Sequence, residues 1–199
     1  VFKKGTLANI EKIHTFELSL LGNHNILNAT GAIIASLIAK VPIKNIKQSL
    51  KNFQGVKRRF TYLGKIEKAS IYDDYAHHPS EIKASYEIAK QISKKNIIII
   101  FQPHRFTRTS MLFNDFIKIL KKIKILYIVD IYSAGEKSIK NINSKNLVNK
   151  LKNNNREVHY LSKDKKLDFI LKPYFNDDNA IVFMGAGSIT YMAQNLFNK

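Results

Sequence analysis

Apolar and polar positions change rhythm along the chain, and each rhythm predicts an element. Ile13 to Leu20 alternate, which predicts a strand. Gly22-Asn23 breaks that pattern. From Asn23 to Lys40, residues Ile26, Leu27, Ile33, Ile34, Leu37 and Ile38 fall at helical spacing and predict a helix with a wide apolar face. Pro42 opens a second, short helix that ends near Phe53. Gly55 to Arg59 is a polar joint, so a domain boundary is expected there, dividing residues 1–54 from 55–199.

Beyond the joint the rhythm changes. Phe60 to Glu67 and Ser70 to Tyr72 predict two strands of a hairpin. Ile97 to Phe101, Ile125 to Val129 and Ala180 to Met184 are continuous apolar runs, the pattern of strands buried on both faces, and Glu157 to Leu161 predicts a further strand. Helices are expected at Pro79 to Ser93, Ser110 to Lys122, Ser144 to Lys152, Leu167 to Phe175 and Ser188 to Phe197. Asn141 to Asn155, rich in Asn and Lys, is expected to hold a loop and a short surface helix. Strands alternating with helices predict an α/β fold with a doubly wound, mostly parallel sheet.

Such sheets bind ligands beyond the carboxyl ends of their strands. The loops at that edge are Asp73 to Pro79, Gln102 to Thr109, Asp130 to Glu136 and Gly185 to Ser188, and they are also the segments richest in titratable residues and glycine. Asp73-Asp74-Tyr75-Ala76-His77-His78-Pro79 packs two carboxylates and two imidazoles into one turn. Carboxylates there can hold ribose hydroxyls or a metal, and imidazoles can orient a substrate or move protons. An Asp capping the helix at Pro79, with solvated histidines, explains the same residues. Arg105 and Arg108 stand three apart at a predicted helix start, where guanidinium forks suit a carboxylate. The bland alternative is a solvated basic turn, but Arg is scarce in a chain rich in Lys, which favours function. Arg58-Arg59 at the joint reads equally as a ligand site or as a structural pair. Asn25 and Asn28 share a helix face, where amides read a base edge or a hydroxyl, although ordinary capping by Asn23 is as simple. Gly185-Ala186-Gly187 resembles half of a phosphate loop, with Thr190 where the third Gly would be, and close helix–strand packing explains it equally well.

Composition narrows the partners. There is no Cys, which excludes disulfides and thiolate chemistry. No apolar run is long enough to cross a bilayer, and no metal site is expected, because no third ligand stands at a recognisable spacing. The net charge is +18, from 33 Lys+Arg against 15 Asp+Glu. That excess is mostly Lys spread along the whole chain, so nucleic-acid binding is not expected; a basic module for an anionic polymer and metal-dependent hydrolysis at the Asp73–His78 turn remain as alternatives. The chain holds no Gly-x4-Gly-Lys-Ser/Thr, and it opens on Val1 rather than Met, as a piece of a longer protein would.

Read together, Gly22-Asn23-His24-Asn25-Ile26-Leu27-Asn28-Ala29, Phe53-Gln54-Gly55-Val56-Lys57-Arg58-Arg59-Phe60, Asp73 to Pro79, Gln102 to Thr109, Asp130 to Glu136 and Met184 to Gly187 resemble, in order, the motifs of the Mur ligase family. The resemblance implies a Rossmann-like carboxyl-terminal domain preceded by the tail of a central ATPase domain. It implies ATP-dependent ligation of L-alanine to UDP-N-acetylmuramate through an acyl phosphate, with Mg2+ as a further cofactor, in the cytoplasm, for peptidoglycan precursor synthesis. The tripeptide-recycling branch shares the Asp73–Pro79 type of turn but differs at Gln102 to Thr109. By motif, His24, Asn25, Asn28, Arg59 and Asp74 are implied to hold the nucleotide, and Tyr75, His77, His104, Arg105 and Arg108 to line the amino-acid side. The phosphate loop, the metal ligands and the UDP-sugar domain are expected to lie outside this stretch, leaving it inactive alone.

Overall fold

The computed structural model describes residues 2–4, 10–12, 14–152, 157–162 and 166–198, with side chains left undescribed at 2–4 and 10–12. The chain forms two compact units, Val1–Gly55 and Val56–Lys199.

In the first unit, β1 (Phe2–Lys4) and β2 (Ile10–Lys12) pair antiparallel, and α1 (Asn23–Ile38) packs with α2 (Ile43–Asn52). The strand expected from Ile13 to Leu20 is not formed among the described residues: Ile13 lies outside them, and 14–20 alternate in exposure without strand geometry. Alternation selects a face, but a strand also needs a neighbour for its backbone groups. Ile33 and Ile46 are buried, whereas Ile26, Leu27, Ile34 and Ile38 of α1 are exposed. Pro42, with φ −57°, stands just before α2 as its cap residue, where its fixed φ and missing N–H cost nothing.

The second unit is a six-stranded sheet of order β3-β4-β8-β5-β6-β7, from β3 (Thr61–Ile66), β4 (Ala69–Asp74), β5 (Ile97–Phe101), β6 (Ile125–Ile128), β7 (Glu157–Tyr160) and β8 (Ala180–Met184). Only the β3–β4 hairpin is antiparallel; every other pair is parallel. The apolar runs read from the sequence are the central strands, because a strand covered on both faces needs apolar side chains on both. Ile99, Phe101, Leu126, Ile128, Val182 and Met184 face one layer, with Ile82 and Ala89 of α3 (Pro79–Ile92), Phe116 and Leu120 of α5 (Phe113–Leu120) and Leu147 of α6 (Ser144–Leu151). Ile98, Ile100, Tyr127, Ile181 and Phe183 face the other, with Leu171 of α7 (Leu167–Leu171), Phe175 and Ala193 of α8 (Ile189–Gln194).

Two expected helices differ. Ser110 to Lys122 is split at Leu112 (φ −106°, ψ 17°) into α4 (Phe106–Met111) and α5, and α4 begins four residues early because Glu136 holds the amide of Thr107. Leu167 to Phe175 ends in a 3-10 turn, Lys172–Tyr174, as Pro173 supplies no amide for another α-turn. The surface helix expected within Asn141 to Asn155 is α6, with Asn143 as its cap; 153–155 lie outside the described residues.

Connectivity sets the site. The chain leaves β4 and β5 toward the layer of α3 and α5, but leaves β8, which lies between them, toward α8 on the opposite face. Loops diverging from adjacent strands open a crevice at the carboxyl edge of β4, β8 and β5.

Candidate functional site

The turn after β4 is fixed from beneath. Asp74 is buried and accepts hydrogen bonds from the amide of Ala76 (2.6 Å), the amide of Phe60 (3.0 Å) and the hydroxyl of Ser85 (2.9 Å). Burial raises its pKa despite these donors. Asp73, also buried, accepts from Thr190 on α8 (3.1 Å), with Arg58 Nε 3.8 Å away, and burial raises its pKa too. The two carboxylates therefore point at different elements, and neither caps α3. That cap is His78, whose Nδ1 accepts from the amide of Ser80, while Glu81 accepts from the amide of His78 to complete a capping box. The capping expected of an Asp is done by a His.

With the carboxylates turned inward, the rings line the crevice. Tyr75 lies under both arginines of the joint, with the Arg58 guanidinium 4.7 Å and that of Arg59 5.4 Å from its ring centre. Its edge meets His77 at 5.2 Å, and His77 in turn lies 5.5 Å from His104. Arg59 is half exposed, with Glu81 3.8 Å away. Arg58 is pinned: Nη2 donates to the carbonyls of Gly185 (2.8 Å) and Gly187 (3.3 Å), and its backbone carbonyl accepts from Tyr75 (2.7 Å). Of the two readings of the Arg58-Arg59 pair, the bonding of Arg58 is structural and Arg59 keeps a free guanidinium face.

The loop after β5 is zipped to the loop after β6. Tyr132 donates its amide to Pro103 O, and Arg105 donates its amide to Tyr132 O, both at 2.8 Å. The His104 ring stacks on Tyr132 at 5.4 Å and 17°. Arg108 Nη1 lies 3.2 Å from His104 Nδ1; Arg can only donate, so Nδ1 accepts and Nε2 carries the hydrogen. Burial lowers the pKa of His104, and His77, Arg108 and Arg105 lower it further, which keeps this imidazole neutral at neutral pH. Arg105 precedes α4 as its cap residue at φ 70°, so Arg105 and Arg108 do not share a helix face as their spacing suggested. They meet different partners: Arg108 meets His104, and Arg105 meets Glu136 at 3.5 Å. Glu136 also accepts from the Thr107 amide (3.0 Å) and hydroxyl (2.7 Å), and those bonds, first among its causes, hold its pKa below the usual carboxylate value.

The third side is glycine. A Cβ on Gly187 would strike the Tyr132 ring and come within 2.6 Å of Gln102 Oε1, so close approach of the loops explains this glycine. Gln102 is buried and accepts from the amide of Ile189 (3.0 Å), a tie between β5 and the start of α8.

Of the residues expected on the amino-acid side, Tyr75, His77, His104 and Arg108 form one connected cluster, with Arg105 beside it. Among those expected to hold a nucleotide, Arg59 borders the cluster, and Asp74 lies beneath it with both oxygens engaged by its own chain. His24, Asn25 and Asn28 lie in the first turns of α1, in the first unit. The cap residue of α1 is Gly22 at φ 99° rather than Asn23, and Asn25 Nδ2 donates to Leu21 O at 2.7 Å. Metal-dependent hydrolysis at the Asp73–His78 turn loses its ligands to these inward bonds. Among the described residues no three His, Asp or Glu side chains are grouped to hold a metal. Sequence reasoning missed Tyr132 and Glu136; both lie in a loop noted as a motif, but only the fold shows which residues they hold.

Residues 58–187 match the family described as "Mur ligase, glutamate ligase domain". The chain belongs to the Mur ligase family. It is 44% identical over 181 residues to UDP-N-acetylmuramate–L-alanine ligase of Rickettsia felis, covering 88% of this chain and 38% of that protein. It is 40% identical to the enzyme of the same name from Hydrogenobaculum, covering 95% of this chain and 40% of that one. The solved UDP-N-acetylmuramate–alanine ligase of Thermotoga maritima superposes with a TM-score of 0.72 at 27% identity, over 92% of this chain and 39% of that one. This Mur ligase segment thus spans about two fifths of the length of these relatives.

The family implies ATP and Mg2+. Arg59 is half exposed and cationic, the chemistry that suits an anionic group. The described residues offer no His, Asp and Glu cluster for Mg2+.

Proposed function

We propose that this Mur ligase segment forms the amino-acid side of an ATP-dependent ligase that joins L-alanine to UDP-N-acetylmuramate in the cytoplasm, as a step of peptidoglycan precursor synthesis. The observation that carries the proposal is the grouping of Arg105 and Arg108 with a neutral His104 at the carboxyl edge of β5. Guanidinium groups suit the carboxylate of the incoming amino acid. His104 Nδ1 accepts from Arg108 and so steadies one of those guanidinium groups. Arg59 is assigned to the nucleotide. Asp74 serves by fixing the turn that carries Tyr75 and His77. Choice of L-alanine over a recycled tripeptide rests on the names of relatives at 40–44% identity. A basic module for anionic polymers is not favoured, because the excess charge is mostly Lys spread along the whole chain.

The test is Arg105→Ala in the intact ligase that carries this segment. The expected result is a KM for L-alanine raised on the order of tenfold, as for loss of one charge-assisted contact, with the KM for ATP little changed. An unchanged alanine requirement overturns the assignment.

A further inference from the structure

The Asp130–Glu136 loop lies against the arginine loop. Its backbone extends the β5–β6 pairing past the strands: His104 bridges Tyr132 in parallel register, and the two 2.8 Å amide bonds between the loops follow. Its last residue, Glu136, then reaches across to the start of α4. One carboxylate takes the Thr107 amide, the Thr107 hydroxyl and, at 3.5 Å, the Arg105 guanidinium. Arg105 is half exposed, and its backbone is held at φ 70°, a conformation rarely adopted by a side chain of its size. Without a partner, a half-exposed arginine samples many rotamers and loses entropy when a ligand fixes it.

We propose that Glu136 is a positioning residue for recognition of the amino-acid substrate: it anchors the first turn of α4 through Thr107 and holds the Arg105 guanidinium oriented for the substrate carboxylate. This inference rests on the reading that Arg105 meets that carboxylate. Glu136 itself touches no reacting group. It acts by limiting the rotamers of Arg105 before the substrate arrives, so its effect falls on binding of the amino acid and leaves the chemical step alone.

Glu136→Gln keeps the side chain's length and one oxygen for the Thr107 amide, and replaces the oxygen shared by the Thr107 hydroxyl and Arg105 with an NH2, which removes the charge opposite Arg105. In the intact ligase it should raise the KM for L-alanine about three- to fivefold, the scale of an exposed ion pair, with kcat and the KM for ATP unchanged. Glu136→Asp, which keeps the charge, should restore part of that loss. In an Arg105→Ala background, Glu136→Gln should add nothing further, since the group it orients is gone. Three outcomes separate the ideas. If Arg105→Ala raises the alanine KM and Glu136→Gln does not, the positioning role is overturned while the reading of the arginine loop stands. If Glu136→Gln costs the same with or without Arg105, its effect is structural and the proposal falls. If Arg105→Ala leaves the alanine KM unchanged, the reading beneath the proposal has failed.

Discussion

Asp73 and Asp74 are neighbours in sequence and both are buried, yet one ties β4 to α8 through Thr190 and the other pins the joint and α3 through Phe60, Ala76 and Ser85. Burial raises both pKa values above the ordinary 3.8. A carboxyl whose pKa is higher folded than unfolded binds more protons in the folded state, so its contribution is present below 3.8 and lost as pH rises through the raised value. Asp73→Asn should therefore give a shallower fall of stability with rising pH above 3.8 than the unmutated chain, measured by denaturant unfolding across that range. A slope unchanged by the substitution would place the titration elsewhere. Glu136 runs the other way. Its lowered pKa means stability present above 4.5 and lost as pH falls through the folded value. His104 is likewise depressed, but it is a base, so its neutral form favours the fold above 6.5 and stability declines as pH drops below it.

At the scale of elements, α3 shows how one residue serves both helix and site. Glu81 accepts the amides of His77 (3.0 Å) and His78 (3.1 Å), which closes the capping box and sets the chain direction through the turn that presents Tyr75 and His77. Burial pushes its carboxyl up, but the His77 amide and ring, the His78 amide and Arg59 outweigh that, and its pKa is lowered overall. Glu81→Ala removes that acceptor. It should cost about 0.5–2 kcal/mol of stability, the range for a lost cap, and should also free the His77 ring from its place beside His104. Thermal unfolding reads the first effect, and the NMR chemical shift of the His77 ring at fixed pH reads the second. A stable variant with an unshifted His77 resonance would show the box to be idle. The ends of elements were the least legible in the sequence. Helix α4 starts early because Glu136, 29 residues downstream of Thr107, takes its amide, and no local pattern encodes such a partner.

For the whole molecule, the sheet supplies the edge and the loops supply the chemistry. The phosphate-loop spacing Gly-x4-Gly-Lys-Ser/Thr does not occur within the 199 residues. The chain as given should therefore show no ATP turnover above background in a phosphate-release assay, with or without L-alanine and UDP-N-acetylmuramate. Turnover abolished by Arg59→Ala would reveal a nucleotide engine that this sequence pattern does not describe.

The sequence by itself determined the α/β alternation, the buried central strands and the loops that carry the chemistry, because hydrophobic period and turn residues are local signals that the backbone obeys. It also made the motif residues conspicuous: Tyr75, His77, His104, Arg105 and Arg108 needed no coordinates to be suspected. The tertiary structure alone decided what each one touches. It turned Asp73 and Asp74 inward, made His78 the helix cap, gave Arg58 to the Gly185 and Gly187 carbonyls, and set Tyr132 and Glu136 against the arginine loop. The places of Asp73 and Arg58 depend on the insertion of β8 between β4 and β5, a long-range pairing that brings residues more than 100 positions apart into hydrogen-bonding distance, as Arg58 and Gly185 are. A sequence pattern reports what a residue can do, and the fold chooses its partner.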